Sequence, residues 1–237
     1  MNTTTNTLYL VRHGENPANI SREFSYKLVD YSLNAQGERQ ARQTAELFRN
    51  IPLDVIFSSP LKRAYETAEI IAEYHQLPVK LLEEFREVNV GDLEVIAPSQ
   101  EVLQTNWKLH DQIIREWIKG NHTETFPGGE NFLGLLARSR RGLLAATRER
   151  SNQHILIAAH GGILAAIVQA FCAKTKEIPS SGHMGNCAVT EIELTTSKEE
   201  IKGVLRCWAS VTHLSGLAAE QATYYSNYQP IGSDRLS

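Results

Sequence analysis

A chain of 237 residues, 42% apolar and 22% charged with a formal net charge of −3, is long enough to bury a sizeable core. Its balanced charge offers no basic patch to draw nucleic acid or a membrane surface, and no stretch approaches the ~20 apolar residues of a membrane-spanning helix. The start MNTTTNT lacks the basic and apolar regions of a secretory signal, and Cys172, Cys187 and Cys207 show no C-x-x-C spacing, so a cytoplasmic protein with reduced thiols is expected.

The first element is a strand, TLYLVRH, followed by a loop of polar and aromatic residues. A helix then starts after Asn34 as N-cap, with Ala41, Ala45 and Phe48 at helical spacing. The strand DVIFSS leads into a second helix, for which Ser59 reads as N-cap and Pro60 as first residue. Leu61, Ala64, Ala68, Ile71 and Ala72 form its stripe. VKLL is a brief strand. Residues 98–119 repeat Leu103, Trp107, Ile114, Trp117 and Ile118 on one face of an amphipathic helix.

FPGGEN makes a turn into a helix marked by Phe132, Leu136, Leu143 and Ala146 and running to about Arg150. HILIAAHGG reads as a strand buried on both faces, and the helix over 162–172 is apolar nearly all round. CAVTEIEL and KGVLRCWASV read as closing strands, and the tail 216–237 as peripheral. Alternating strands and helices predict an α/β fold, a three-layer α/β/α sandwich on a mainly parallel sheet. With no internal repeat or linker, residues 1–237 are expected to form one domain.

Ligands of such sheets bind where strands end and loops begin. Two histidines fall there, His13 and His160, each followed by glycine, which lets a ligand approach the backbone. Gly161 and Gly162 also open a helix whose first N–H groups suit an anion. Arg12 adjoins His13, and Arg63 lies in the first turn after IFSSP. Arginine grips phosphate oxygens in bidentate fashion, so these residues describe a cationic pocket for a dianion in which an imidazole can attack phosphorus. The acid that protonates the leaving oxygen is sought in EEFREVNVGD, where Glu87 leads and Glu83, Glu84, Asp92 and Glu94 stay open as alternatives. The chain has no G-x-x-x-x-G-K-[ST] loop, no C-x5-R, no D-x-D nucleophile and no H-E-x-x-H zinc motif.

These residues resemble the histidine phosphatase superfamily, branch 1, also called phosphoglycerate-mutase-like. LVRHGENPAN is similar to its R-H-G-E-x-x-x-N signature, YSLNAQGERQA to L-T-x-x-G-x-x-Q-A, and SSPLKRAYETA to S-S-x-L-x-R-A-x-x-T-A. REVNVGDLE resembles E-x-x-x-G-x-x-E, FPGGEN the P-G-G-E turn, and AAHGG the second histidine motif; GNCAVTEIEL and LRCWASVTHL resemble the closing strands. The match runs in order from Leu8 to Leu214. The resemblance implies that His13 becomes phosphohistidine and that Arg12, Arg63 and His160 bind phosphoryl oxygens. It further implies that Asn19 and the Gly161 amide assist and that Glu87 donates the proton, with neither metal nor cofactor.

Three positions depart from the pattern: Asn16 replaces Thr or Ser, Val95 replaces a glycine, and Ala165 stands where an arginine often occurs. Specificity is expected from the loop Ser21–Tyr31, with Arg22, Phe24, Ser25 and Tyr26, and from a lid over residues 92–126. Arg22 and Ser25 are taken as substrate-binding. The resemblance implies hydrolysis of small phosphorylated metabolites. Mutases of the family carry a longer insertion and read H-G-N where this chain has His160-Gly161-Gly162; mutase activity is the alternative and a non-catalytic phospho-ligand module the second. A homodimer is admissible. His75, His110, His122, His154 and His183 are expected at the surface or in loops, and His213 in a structural role. Arg138, Arg140, Arg141, Arg148 and Arg150 read as a solvated helix face.

Overall fold

The structure is a computed structural model describing residues 3–172, 184–197 and 200–220. Six strands form one sheet: β1 (Thr4–Arg12), β2 (Val55–Ser58), β3 (Val79–Leu81), β4 (His154–Ala159), β5 (Val189–Thr196) and β6 (Ile201–Ser210). They lie in the order β3-β2-β4-β1-β5-β6; the first four run parallel, whereas β5 and β6 are antiparallel to their neighbours. The mainly parallel α/β arrangement expected above is therefore the one observed.

Side-chain alternation divides the sheet between two cores. Leu8 and Leu10 of β1, Val55 and Phe57 of β2, and Ile155 and Ile157 of β4 point into the larger one. Tyr9, Val11, Ile56, Leu156 and Ala158 point into the other, where they meet Ala45 and Phe48 of α2 (Ala35–Phe48) and Ala68 and Ile71 of α3 (Lys62–Ala72). The larger core is covered by α5 (Phe132–Thr147) and α6 (Gly161–Phe171), and Ile113 and Trp117 of α4 (Gln100–Ile118) belong to it. Fully burying a side chain such as Phe48 or Ile157 contributes roughly 1.5–3 kcal/mol, so each face has its own reason to stay closed.

Asn34 caps α2 as read, its side chain accepting the Gly37 N–H at 2.8 Å. α3 is a correction. It starts at Lys62, with Leu61 as a cap lacking a side-chain bond, and Pro60 lies outside it. The Ser59 hydroxyl accepts the Leu61 N–H at 3.3 Å, just ahead of the helix, and also bonds His160 Nε2, 2.8 Å away. On α4 the buried face is Leu103, Ile113 and Trp117, while Ile118 is 57% exposed. A short helix unforeseen in the sequence, α1 (Pro17–Ser21), follows β1; Asn16 is its N-cap and forms a capping box with Asn19. Asn16, where the resemblance expects Thr or Ser, thus fills the capping role those residues also play. Among the described residues no helix is long and apolar enough to cross a membrane. Of the peripheral tail, 221–237 lie outside the described residues, as does His183.

Candidate active site

β1 and β4 lie side by side in register, Arg12 opposite Ala159, so the loops leaving their C-terminal ends open at the same place. This juxtaposition brings His13 and His160 together: their ring centroids are 5.2 Å apart. β2 adjoins β4 on its other side, and the helix that follows it delivers Arg63, whose Nε lies 3.2 Å from His13 Nε2. His13, Arg12, Arg63 and His160 are between 0% and 4% exposed. All four sequence-predicted side chains converge at one sheet edge.

The loop after β1 is clamped by the motifs that lie far from it in sequence. Gly14 donates its N–H to Thr67 Oγ1 (3.0 Å), and Glu15 donates its N–H to Gln40 Oε1 (2.9 Å). Glu15 Oε1 accepts from Asn34 Nδ2 at 2.9 Å. Gly14 and Gly37 meet backbone to backbone, and a Cβ at Gly37 would lie 2.1 Å from the Glu15 carbonyl oxygen. Gly14 therefore serves helix packing, a correction to the expectation that it admits a ligand. The glutamine, glycine and threonine of the second and third motifs exist to hold the histidine loop.

The ring of His13 is oriented by its Nδ1, which lies 2.7 Å from the Gly14 carbonyl oxygen. A carbonyl can only accept, so Nδ1 carries the proton and Nε2 keeps its lone pair. Burial, then the Arg63 and Arg12 guanidinium groups, hold the His13 pKa well below the usual histidine range. Burial, followed by Arg63, His13 and Arg12, does the same for His160. Both imidazoles are neutral at pH 7. Arg63 is pushed down to about 10, first by burial, against the attraction of Glu87 and Asp30, and so stays charged. Two of its four remaining N–H donors are engaged: Nη1 with Ser25 Oγ at 2.9 Å and Nη2 with the Ser25 carbonyl at 2.8 Å. Ser25 is thus a support for Arg63 rather than an isolated ligand group.

Asn19 lies at the cavity, its Oδ1 accepting the Asn16 N–H (3.1 Å) and Asn186 Nδ2 (3.0 Å). Asn186 also donates to the His13 carbonyl at 3.1 Å, a link the sequence reading missed. Gly161 begins α6 beside the Arg12 side chain.

Of the five candidate acids, Glu87 alone lines the cavity. Glu83 pairs with Arg86 at the surface, 2.6 Å away, and Asp92 is exposed. Glu94 is buried and consumed by the loop opposite, accepting the N–H groups of Tyr26 (2.6 Å), Lys27 (2.8 Å) and Val29 (3.1 Å). Glu87 sits on the first turn of α6, where its carboxylate accepts from Gly162 (3.2 Å) and Ile163 (3.1 Å) as well as from Val88 (2.8 Å). This revises the expectation that the Gly162 amide faces an incoming anion; the side chain of Glu87 already takes that helix end.

Arg138 is a further correction. It is not a solvated helix residue: it donates to the carbonyls of Glu84 (2.8 Å), Arg86 (2.7 Å) and Glu87 (2.7 Å), and to Glu130 Oε1 (2.7 Å) and Oε2 (3.0 Å). Glu130 in turn accepts the Asn89 N–H at 2.8 Å. The P-G-G-E turn is thereby riveted to the segment carrying Glu87. Gly91, at φ 56°, packs against that turn; a Cβ there would meet the Pro127 carbonyl oxygen at 2.1 Å.

Above this floor opens a cavity of about 930 Å³. One wall is α4, which presents Trp107, His110, Ile114 and Trp117; Phe24 and Arg22 face it from the loop opposite. Arg22 stands in the left-handed region (φ 66°), its carbonyl accepting the Trp107 indole N–H at 2.8 Å. His110, expected at the surface, is packed among Phe24, Trp107 and Phe126 with centroids 4.9 to 5.6 Å away. His122 also lines the cavity, beside Phe132. His213, as read, has a structural place, its Nε2 3.0 Å from Thr44 Oγ1. Among the described residues no group of three or more His, Cys, Asp or Glu side chains is placed to hold a metal ion.

Residues 8–205 match the profile of the histidine phosphatase superfamily (branch 1), and the chain belongs to that family as an enzyme of the phosphatase class. It is 33% identical over 207 residues to "uncharacterized phosphatase PhoE" of Bacillus subtilis, covering 87% of this chain and 96% of that one. It is 28% identical over 218 residues to "probable phosphoglycerate mutase GpmB" of Escherichia fergusonii, covering 90% and 97%. Among solved structures, a mycobacterial glucosyl-3-phosphoglycerate phosphatase in complex with inorganic phosphate superposes with a TM-score of 0.69 at 26% identity, over 88% of this chain and 99% of that one.

Proposed function

We propose that this enzyme is a metal-independent hydrolase of phosphate monoesters that carries the phosphoryl group on His13. The observation that carries the reading is the state of that imidazole: neutral, with Nδ1 tied to the Gly14 carbonyl and Nε2 directed at the Arg63 guanidinium on the cavity floor.

In the first step the His13 Nε2 lone pair forms a bond to phosphorus, the P–O ester bond breaks, and the departing oxygen takes a proton from Glu87. Arg12 and Arg63 balance the charge on the equatorial oxygens, neutral His160 donates a hydrogen bond to one of them, and Asn19 and the Gly161 amide complete the cradle. Arg63 Nε caps Nε2 in the resting site, so an arriving phosphoryl oxygen must take that donor before the nitrogen can attack. In the second step a water oxygen attacks phosphorus, its proton passes to the Glu87 carboxylate, and the N–P bond breaks. The sum is ester plus water to alcohol plus inorganic phosphate. Positive charge on the floor comes from guanidinium groups, the role a metal fills in other phosphatases.

Hydrolysis of p-nitrophenyl phosphate by wild type and by His13→Ala tests the proposal: activity should survive EDTA, be blocked by vanadate, which mimics the trigonal-bipyramidal phosphorus, and vanish in the variant. Loss of activity on chelation, or equal rates in the two proteins, would overturn it. The relatives named as probable phosphoglycerate mutases support a second reading, return of the phosphoryl group to substrate. Efficient formation of 2-phosphoglycerate from 3-phosphoglycerate in the presence of 2,3-bisphosphoglycerate would favour it.

A further inference from the structure

The turn over 184–188 that leads into β5 takes no part in the reaction derived above, yet it is fastened to the catalytic loop at several points. The Met184 carbonyl accepts Arg12 Nη1 at 2.5 Å, and the Ala188 carbonyl accepts the Arg12 N–H at 3.1 Å. Asn186 Nδ2 reaches both the His13 carbonyl (3.1 Å) and Asn19 Oδ1 (3.0 Å). Resting on the hydrolase reading above, we propose that Asn186 is a positioning residue for phosphoryl transfer. It turns the Asn19 side chain so that its NH2 group serves the phosphoryl oxygens, and it locks the backbone that carries the nucleophile.

Three observations carry this. First, the orientations of both amides follow from donors and acceptors alone. The Asn16 backbone N–H, 3.1 Å from the Asn19 side chain, can only donate, so the atom facing it is the carbonyl oxygen. Asn186 faces that same oxygen and the His13 carbonyl, both acceptors, and only its NH2 group can serve them. Two donors then fill the acceptor sites of Asn19 Oδ1. Asn19 Nδ2 and its protons are left for the cavity that Asn19 lines.

Second, Asn186 is wholly buried, as is Asn16. Solvent does not compete for bonds placed there, and an amide held by two donors cannot tilt about one of them. Third, the backbone beside Asn186 is strained. Cys187 stands at φ 55°, in the left-handed region, and from there its N–H is shared between the carbonyls of Arg12 (3.1 Å) and His13 (3.2 Å). A residue other than glycine keeps such a conformation only where its surroundings over-determine it. Here those surroundings are the backbone of the nucleophile, whose carbonyl takes donors from Asn186 and Cys187 together. Arg12, His13 and Asn19 are thereby held by a single turn and keep their mutual spacing.

The experiment uses Asn186→Leu, which nearly keeps the volume of the side chain and removes its donors without adding a charge. With p-nitrophenyl phosphate, kcat should fall about 30-fold while KM changes less than about threefold, and the inhibition constant of vanadate should rise in step with the loss in kcat/KM. Asn19→Ala alone should lower kcat/KM about tenfold, but less than about twofold in the Asn186→Leu background, because the two residues act as one unit. A merely structural residue would lower the denaturation midpoint and leave the vanadate constant and the coupling where they were. Wild-type kcat/KM in Asn186→Leu, or losses that multiply in the double variant, would overturn the proposal and leave the hydrolase reading standing. Should Asn186→Leu fail to fold, the wild-type enzyme decides by heteronuclear NMR of its side-chain amides. The Asn19 NH2 protons should gain exchange protection when vanadate binds, with those of Asn186 protected throughout; an unprotected Asn186, or no change at Asn19, would overturn the proposal. Failure of wild type to hydrolyse p-nitrophenyl phosphate and alkyl phosphates would bring down both readings.

Discussion

At the floor of the cavity His13, Arg63 and His160 are almost wholly buried and fixed by hydrogen bonds: His13 to the adjacent Gly14 carbonyl and to Arg63, Arg63 to Ser25, and His160 to Ser59. The α4 wall opposite is held mainly by ring packing, with the indole N–H groups of Trp107 and Trp117 donating to the Arg22 and Glu124 carbonyls. Hydrogen bonds are strongly directional, whereas the burial of apolar surface is not. The floor therefore has one geometry, suited to a tetrahedral anion of fixed shape, whereas the wall can vary its side chains and still enclose a ligand. Chemistry belongs to the first region and discrimination to the second.

The sharpest break of this division is at the floor. His13→Ala should lower kcat by about 10⁴-fold or more for every ester, because the group that receives phosphorus is gone; a stopped assay with p-nitrophenyl phosphate measures it. Next comes Glu87→Gln, for which a loss of about 10²–10³-fold is expected with alkyl phosphates and a much smaller one with p-nitrophenyl phosphate, whose leaving group needs little protonation. Arg138→Ala should show the same dependence on leaving group at about 10–100-fold, since it loosens the segment that carries Glu87 without touching the anion. Equal losses on both substrates would make Arg138 a stability residue only.

In the wall the expected currency is stability and KM. Trp117→Ala removes a nearly buried ring from the Phe126 and Phe132 contacts and should cost roughly 3 kcal/mol, read as a lowered denaturation midpoint. The smallest effect is of pH. Burial pushes His213 down to about 4, and His13 and His160 move the same way. These folded-state values lie below the unfolded one of about 6.5, so the stability they contribute is present above pH 6.5 and is lost as pH falls toward 4. For His213 alone the loss at pH 5 is about 2 kcal/mol, and His213→Gln should flatten that part of the melting profile.

Much of the floor was legible because an anion imposes residue types: two arginines and two histidines at strand ends leave few other readings. The strand order was not, since nothing in TLYLVRH says that its neighbours are the strands at 154 and 189. Arg138 was hidden among Arg140, Arg141, Arg148 and Arg150, although a signal existed: it lies three residues after Leu135 and four before Gly142, along the buried stripe of α5. Ser59 misled for a physical reason: its hydroxyl accepts the Leu61 N–H as a cap would, but the helix starts at Lys62 and the same hydroxyl is shared with a buried imidazole. His110 could not be placed from sequence at all; only the packing of α4 against the loop at Phe24 makes it part of a ligand chamber.

The central position of β1 has a consequence for how the protein is made. Its partners on either side are β4 and β5, which leave the ribosome about 140 residues or more after it. At typical rates of synthesis the apolar run Leu8–Val11 must wait roughly 10–30 s with both edges unpaired. A nascent chain arrested before His154 therefore presents two open strand edges to its neighbours, and aggregation of such truncated chains is the cost of placing the first strand in the middle of the sheet.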